Sequence, residues 1–276
     1  MPINDQIADH YAHGALIEAI EAGVRRLGKT PETISVHDLA GVDEFHVGGR
    51  QASEDFFDQL GFGASHHLLD IGCGLGGAAR FIADKTDCMV SGIDLTDEYI
   101  EAGDVLNEWT GLAGRVDLTE GSALDLPYEK AAFDGAYMLH VGMNIEDKAQ
   151  LFSGAHACLK PGATFGIYDV MRMGDGDLAY PVPWAASEAT SFLASPSAYR
   201  DALEAAGFEI TGMRERRTFA LEFFAGMKAK MASAEGPPAL GLHVLMGMNT
   251  GAKMQNIIAN IEAGLIAPVE LIARKT

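Results

Sequence analysis

Residues 68–77, LLDIGCGLGG, constrain the fold of this chain more than any other stretch. A short apolar run meets a glycine-rich turn, and the turn opens into a helical segment, GGAARFIADK. Gly72, Gly74 and Gly76 reach backbone angles closed to other residues and leave no side chain over the loop. A ligand can then lie against the backbone, facing the exposed N–H groups of a helix start. That arrangement calls for a strand feeding a helix beneath a ligand.

The residues that follow repeat the rhythm. CMVSGIDL, RVDLTEG, FDGAYMLHV and TFGIYDVMR read as strands, and TDEYIEAGDVLNEWTGL and NIEDKAQLFSGAHACLK as helices, with Thr96 capping the first and Lys160-Pro161-Gly162 stopping the second. Alternation of apolar strands with helical segments of ~10–15 residues predicts an α/β fold, a parallel sheet with helices on both faces. Residues 1–62 read as a helical N-terminal arm. In it Ala15, Leu16, Ala19, Ile20 and Val24 recur at helical spacing, VHDLAGVDEFHVGGRQAS is a polar connector, and Ser53 caps a helix over SEDFFDQLGF. Residues 63–276 read as the main domain, interrupted at about 171–196 and 219–265 by segments that suit a lid. SPSAYRDALEAAGF is a helix, EITGMRERRTFALEF a strand and then a helix, EGPPALG a break, MGMNTGAKMQNIIANIEAGLI helical, and PVELIARKT a final short strand.

Composition narrows the function. With 39 acidic and 20 basic side chains the net charge is -19, which disfavours a phosphate backbone as partner. Cys73, Cys88 and Cys158 have neither an even count nor a zinc spacing, so they read as reduced thiols near a core. His10 and His13 lie close together without further ligands at a recognisable spacing, and no metal is expected. The first residues lack a basic start followed by an apolar run, and nothing approaches the ~20 apolar residues of a membrane span. A cytoplasmic protein with a small-molecule partner, no nucleic acid and no membrane is expected; a homodimer stays open.

Two ligands compete for the glycine loop. Gly72, Gly74 and Gly77 satisfy G-x-G-x-x-G, the dinucleotide pattern of an NAD-dependent oxidoreductase. Asp70 separates the two. A carboxylate at the strand end suits a cationic group and suits a pyrophosphate badly. S-adenosylmethionine carries a sulfonium and an amino group and no phosphate, so the acid favours it over NAD. Asp94, at the end of the next strand, can accept from ribose hydroxyls in either case.

LLDIGCGLGG, VSGIDLT, GSALDLPYEKAAFDGAYMLHV and LKPGATFGIYDV together resemble the class I S-adenosylmethionine-dependent methyltransferases, over roughly residues 50–210. Within that class the chain looks most like the sarcosine/dimethylglycine-type and ubiquinone/menaquinone-biosynthesis-type enzymes of small molecules. The resemblance implies a Rossmann-like, seven-stranded, mostly parallel sheet whose last strand is antiparallel, a place that PVELIARK fits. It implies methyl transfer to N, O, S or C of a small molecule. A non-catalytic module that binds S-adenosylmethionine is the alternative from another class. Asp70, Gly72, Cys73, Gly74, Gly76, Asp94 and Leu95 would hold the cofactor, with Ser122, Ala123 and Leu124 at the adenine. Many relatives have an acid where this chain has Ser122.

The acceptor should lie beyond the strand ends, after Leu139, Asp169 and the lid. His140 is the best-placed titratable group. It stands either as a proton acceptor or as a shelf for the cofactor. Asn144 could orient a substrate, and Tyr11 could touch it from the arm. Tyr180 and Trp184, in the Pro-rich loop, could cage a cation or plug the lid onto the core. Met246, Met248 and Met254 read as packing, although a Met-rich surface can also accommodate an apolar ligand or partner.

Overall fold

The computed structural model describes residues 3–12, 14–233, 236–246 and 249–276. Seven strands form one sheet: β1 (His67–Ile71), β2 (Met89–Asp94), β3 (Val116–Glu120), β4 (Phe133–Leu139), β5 (Leu159–Arg172), β6 (Phe208–Glu215) and β7 (Ile266–Lys275). Their order is β3-β2-β1-β4-β5-β7-β6. The first five pair in parallel, and β7 runs antiparallel to both β5 and β6. The seven-stranded, mostly parallel α/β sheet expected from the sequence is present, with the C-terminal segment as its reversed strand. That strand covers ten residues and is not short.

Successive side chains on a strand point to opposite faces, so a buried strand feeds two cores. On β1, Leu68 joins the core built with α4 (Gly49–Phe57) and α5 (Gly77–Thr86), while Leu69 and Ile71 join the core built with α7 (Lys148–Cys158) and α8 (Pro196–Ala205). On β4, Tyr137 and Met138 divide in the same way. Leu68, Leu69 and Ile71 are wholly buried, each burial worth about 1.5–3 kcal/mol relative to exposure. The thiols of Cys73, Cys88 and Cys158 are free and buried.

The arm departs from its predicted form. Its first stretch divides into α1 (Ile3–Tyr11) and α2 (Leu16–Arg26), separated around Gly14 at φ 77°. Leu16, Ile20 and Val24 are buried, whereas Ala15 precedes α2 and Ala19 faces solvent. The expected connector holds a helix, α3 (Val36–Asp43), started by Ser35 and Asp38 capping each other's backbone N–H. Ser53 is not a cap: α4 begins four residues earlier, and Ser53 is buried within it. Thr96 does stand at the N-terminus of α6 (Asp97–Trp109), but its hydroxyl makes no capping bond there.

One buried ion pair joins arm to sheet. Arg80 on α5 donates to Asp43 at the end of α3, with Nη2–Oδ1 at 2.5 Å, and Nη1 reaches Asn107 Oδ1 on α6 at 3.0 Å. Above the sheet, the loop after β5 meets α9 (Arg217–Ser233), α10 (His243–Met246) and α11 (Thr250–Glu262) in an apolar cluster around Trp184, Phe224 and Ile257. His13, Met248 and Glu235, which opens the EGPPALG break, lie outside the described residues. Among the described residues no helix is long and apolar enough to cross a membrane.

Candidate cofactor and acceptor site

Strand order reverses between β1 and β4, and ligands of open α/β sheets sit beyond the strand ends at such a point. A cavity of about 310 Å³ opens there. One half is floored by the glycine loop, and the other is roofed by α1, the loop after β5, α9 and α11.

The loop leaves β1 through Gly72, at φ 72°, whose N–H and that of Cys73 both donate to the Ile93 carbonyl at 2.8 and 3.0 Å. A side chain at Gly72 would collide with Val141, with a Cβ only 2.5 Å from its Cγ2. At Gly74, φ 53°, a Cβ would meet only Tyr99 Cδ2, at an ordinary contact distance of 3.8 Å. The backbone is therefore bare on the cavity side.

Asp70 ends β1 beside it. The carboxyl is buried, and Oδ2 has no hydrogen-bond partner. Burial pushes its pKa up to about 8, opposed by the neighbouring Tyr137 hydroxyl and aided by Asp94. A buried acid without a partner is costly and becomes stable once a cation reaches it. Asp94 ends β2 and is also raised by burial, but its oxygens are engaged. Oδ2 accepts from Gly74 N–H at 2.9 Å and Oδ1 from Thr96 N–H at 3.0 Å. Each retains a lone pair for a hydroxyl. Leu95, Ser122, Ala123 and Leu124 complete this half of the wall, and Ser122 Oγ already accepts from Leu124 N–H at 3.2 Å.

His140 follows β4 with φ 57°, a left-handed conformation that is rare for a residue with a side chain. Its N–H donates to the Tyr168 carbonyl at 2.7 Å. The ring lines the cavity, and Nε2 is buried without a partner. Burial, together with His46, holds its pKa well below the ordinary histidine value, so the ring is neutral. The two rings meet edge to face at 5.9 Å. His46 is itself lowered by burial to about 4 and contacts Ser53 Oγ at 3.0 Å, and Ser53 donates to Glu44 at 2.6 Å.

Of the residues the sequence singled out, Tyr11, Asn144 and Trp184 meet at the roof. Tyr11 donates to Asn144 Oδ1 at 3.0 Å, and Asn144 Nδ2 donates to the Trp184 carbonyl at 2.8 Å. Three elements distant in sequence are latched there. Two residues stand elsewhere. Gly76 begins α5 behind the loop, its N–H closing the turn onto Cys73 at 2.9 Å, with Leu118 packed on its open side. Tyr180 lies in the apolar lid cluster rather than on the cavity wall, so it forms no cage with Trp184 there. Asp169 is not in the wall either. It accepts from Val141 N–H at 2.7 Å, Gly142 N–H at 3.0 Å and Tyr199 Oη at 2.9 Å, and so fixes the loop after His140.

Sequence reasoning missed His46, Phe45 and Tyr99 on the wall, and Phe223 and Phe224 from α9. The S-x-x-D box at Ser35 was the available sign that a helix delivers residues 45 and 46 to the site.

Residues 68–162 match a family model described as a methyltransferase domain. Methyltransferase GfsG of Streptomyces halstedii is 28% identical over 62% of this chain and 60% of its own length. The chain spans about half of a further curated relative, the O-methyltransferase resE of Aspergillus sclerotiorum. Among solved structures, geranyl diphosphate C-methyltransferase of Streptomyces coelicolor A3(2) superposes with a TM-score of 0.70 at 17% identity, covering 100% of this chain and 98% of that one. The [4+2]-cyclase SpnF superposes equally well, at 0.70 and 19% identity over 99% and 97%. At such identities these likenesses show a shared Rossmann-like fold alone.

Proposed function

We propose, from the match of residues 68–162 to the methyltransferase-domain model, that the chain transfers the methyl group of S-adenosylmethionine to a small-molecule acceptor. The observation that carries this is the buried, unpartnered Asp70 oxygen beside a bare glycine loop. That oxygen suits the amino group or the sulfonium, and it would repel the diphosphate of NAD. The same cavity holds engaged carboxylate oxygens at Asp94 for the ribose and an apolar edge at Ala123 and Leu124 for the adenine. Gly76 serves by shaping the turn.

S-adenosylmethionine, when bound, supplies a methyl group already activated by its sulfonium. What remains for the protein is alignment, exclusion of water and care of one proton. The Tyr11–Asn144–Trp184 latch closes the roof over the acceptor half. His140 presents a free nitrogen to it. A neutral imidazole of lowered basicity orients the nucleophile by hydrogen bonding and takes up its proton as the new bond forms.

Calorimetry with S-adenosylmethionine and S-adenosylhomocysteine tests the site, and formation of S-adenosylhomocysteine across a metabolite panel tests the chemistry. Binding of NAD in place of either would reverse the assignment. Tight binding of S-adenosylmethionine with no turnover on any acceptor would leave a binding module instead.

A further inference from the structure

The acceptor half of the cavity points to the class of molecule it takes, an argument that rests on the methyl-transfer reading. We propose that the acceptor is an uncharged, largely apolar molecule presenting one hydroxyl or phenol to His140.

Away from the glycine loop the wall is made by Phe45, Met143, Trp184, Phe223, Met254 and Ile257. No lysine or arginine among the described residues lines it, and the positions outside the description (Met1, Pro2, His13, Ala234, Glu235, Gly247 and Met248) include neither type. Two lysines come near in the fold but are turned to other tasks. Lys253 on α11 sits 3.3 Å from His10 Nε2, and Lys148 donates to the carbonyls of Phe192, at 3.0 Å, and Ile145. His46 and His140, the histidines that line the wall among the described residues, are held neutral by burial and offer no positive charge. A carboxylate or phosphate here would lose its water and gain no counter-charge.

A cation fares no better. Among the described residues that line the cavity, Asp70 and Asp94 belong to the glycine-loop half and Asp43 is spent on Arg80. Glu146 and Asp147 are exposed at the rim, and Asp147 is already engaged by Gln150 N–H at 2.8 Å. Tyr180 lies off the wall, and the Trp184 indole N–H is spent on Ser191 Oγ at 3.0 Å. Three lining residues among those described carry a buried polar atom without a partner: Asp70 Oδ2 and Tyr99 Oη lie at the glycine loop, with Tyr99 packed beside Gly74, and His140 Nε2 is the one left for the acceptor half. An acceptor with a single O–H satisfies it, and the remaining surface asks for carbon.

Four probes that share a 4-hexylphenyl body test this: 4-hexylphenol, 4-hexylanisole, 4-hexylbenzoate and 4-hexylbenzylamine, titrated calorimetrically into the protein with and without saturating S-adenosylhomocysteine. The expected order places the phenol about tenfold or more ahead of both charged probes, and severalfold ahead of the anisole, whose oxygen cannot donate. His140→Ala should shrink the phenol–anisole gap below about twofold while both charged probes stay weak. Benzoate or benzylamine binding as tightly as the phenol overturns the uncharged class. Anisole matching the phenol in the unaltered protein overturns the hydroxyl contact, and no binding by any probe overturns the apolar acceptor. Absence of S-adenosylhomocysteine binding would instead sink the methyl-transfer reading, while the probe order in the cofactor-free protein still decides this one.

Discussion

Asp70 and His140 show how burial sets the behaviour of single groups. Asp70 titrates near 8 in the free protein against an ordinary 3.8, so between those values the folded chain holds a proton that the unfolded chain releases. Stability contributed by Asp70 therefore falls as pH rises through that window. Asp70→Asn should flatten this slope in urea unfolding between pH 5 and pH 8. Cofactor binding has the opposite sense. A cation beside Asp70 favours the carboxylate, so the affinity for S-adenosylhomocysteine should drop as pH falls below about 8, by up to tenfold per unit. Calorimetry in buffers of different ionisation heat should show a proton released on binding, and Asp70→Asn should bind at least about tenfold more weakly without that release. For His140 the lowered pKa keeps the ring neutral throughout the neutral range. The turnover of the unaltered enzyme should then show no ascending limb near the ordinary histidine value, while His140→Ala lowers kcat at every pH. A limb near that value, lost in the variant, would contradict the buried state of the ring.

Among the elements, those coded by neighbouring residues were legible and those assembled at a distance were not. β1, the glycine loop and α5 follow from consecutive apolar and glycine residues, and β2 delivers Asp94 where the next strand should end. α8 is bounded by Ser195, Pro196 and Gly207, each with a local role. α3 escaped because it is only eight residues long and its glycine suggested a turn, although its capping box was in plain sight. Ser53 misled because a serine before acidic residues resembles a cap, whereas its hydroxyl serves the buried Glu44 and His46. That α3 seats the arm yields a prediction. Its final residue, Asp43, makes the wholly buried pair with Arg80, and Gly77 leaves room for the Asp43 backbone. Arg80→Met removes one partner and strands the other, which should cost about 3–5 kcal/mol in denaturant unfolding. The double variant Arg80→Met/Asp43→Leu should regain most of it, since no uncompensated charge remains.

At the scale of the whole molecule, the two ends of the chain close one cavity, and no local pattern announces this. α1 reaches Trp184 through Tyr11 and Asn144, and His10 approaches both the Pro183 carbonyl, at 3.0 Å, and Lys253 of α11. Leu240, ahead of α10, packs against Gly23 of α2 and Gly41 of α3. Arm and lid therefore share their contacts and should open together, because losing the latch from either side removes the same bonds. Hydrogen exchange tests this directly. S-adenosylhomocysteine should slow exchange in α1 and α11 to a similar degree, while β1 and β4, already buried beneath, change little. Tyr11→Phe deletes one bond of the latch and should abolish most of that added protection in both helices at once. It should raise KM for the acceptor more than it lowers kcat, since the roof closes over substrate while the loop after His140 keeps its bonds from Val141 and Gly142 to Asp169. Protection lost from α1 alone, with α11 still guarded, would show two separate covers in place of one.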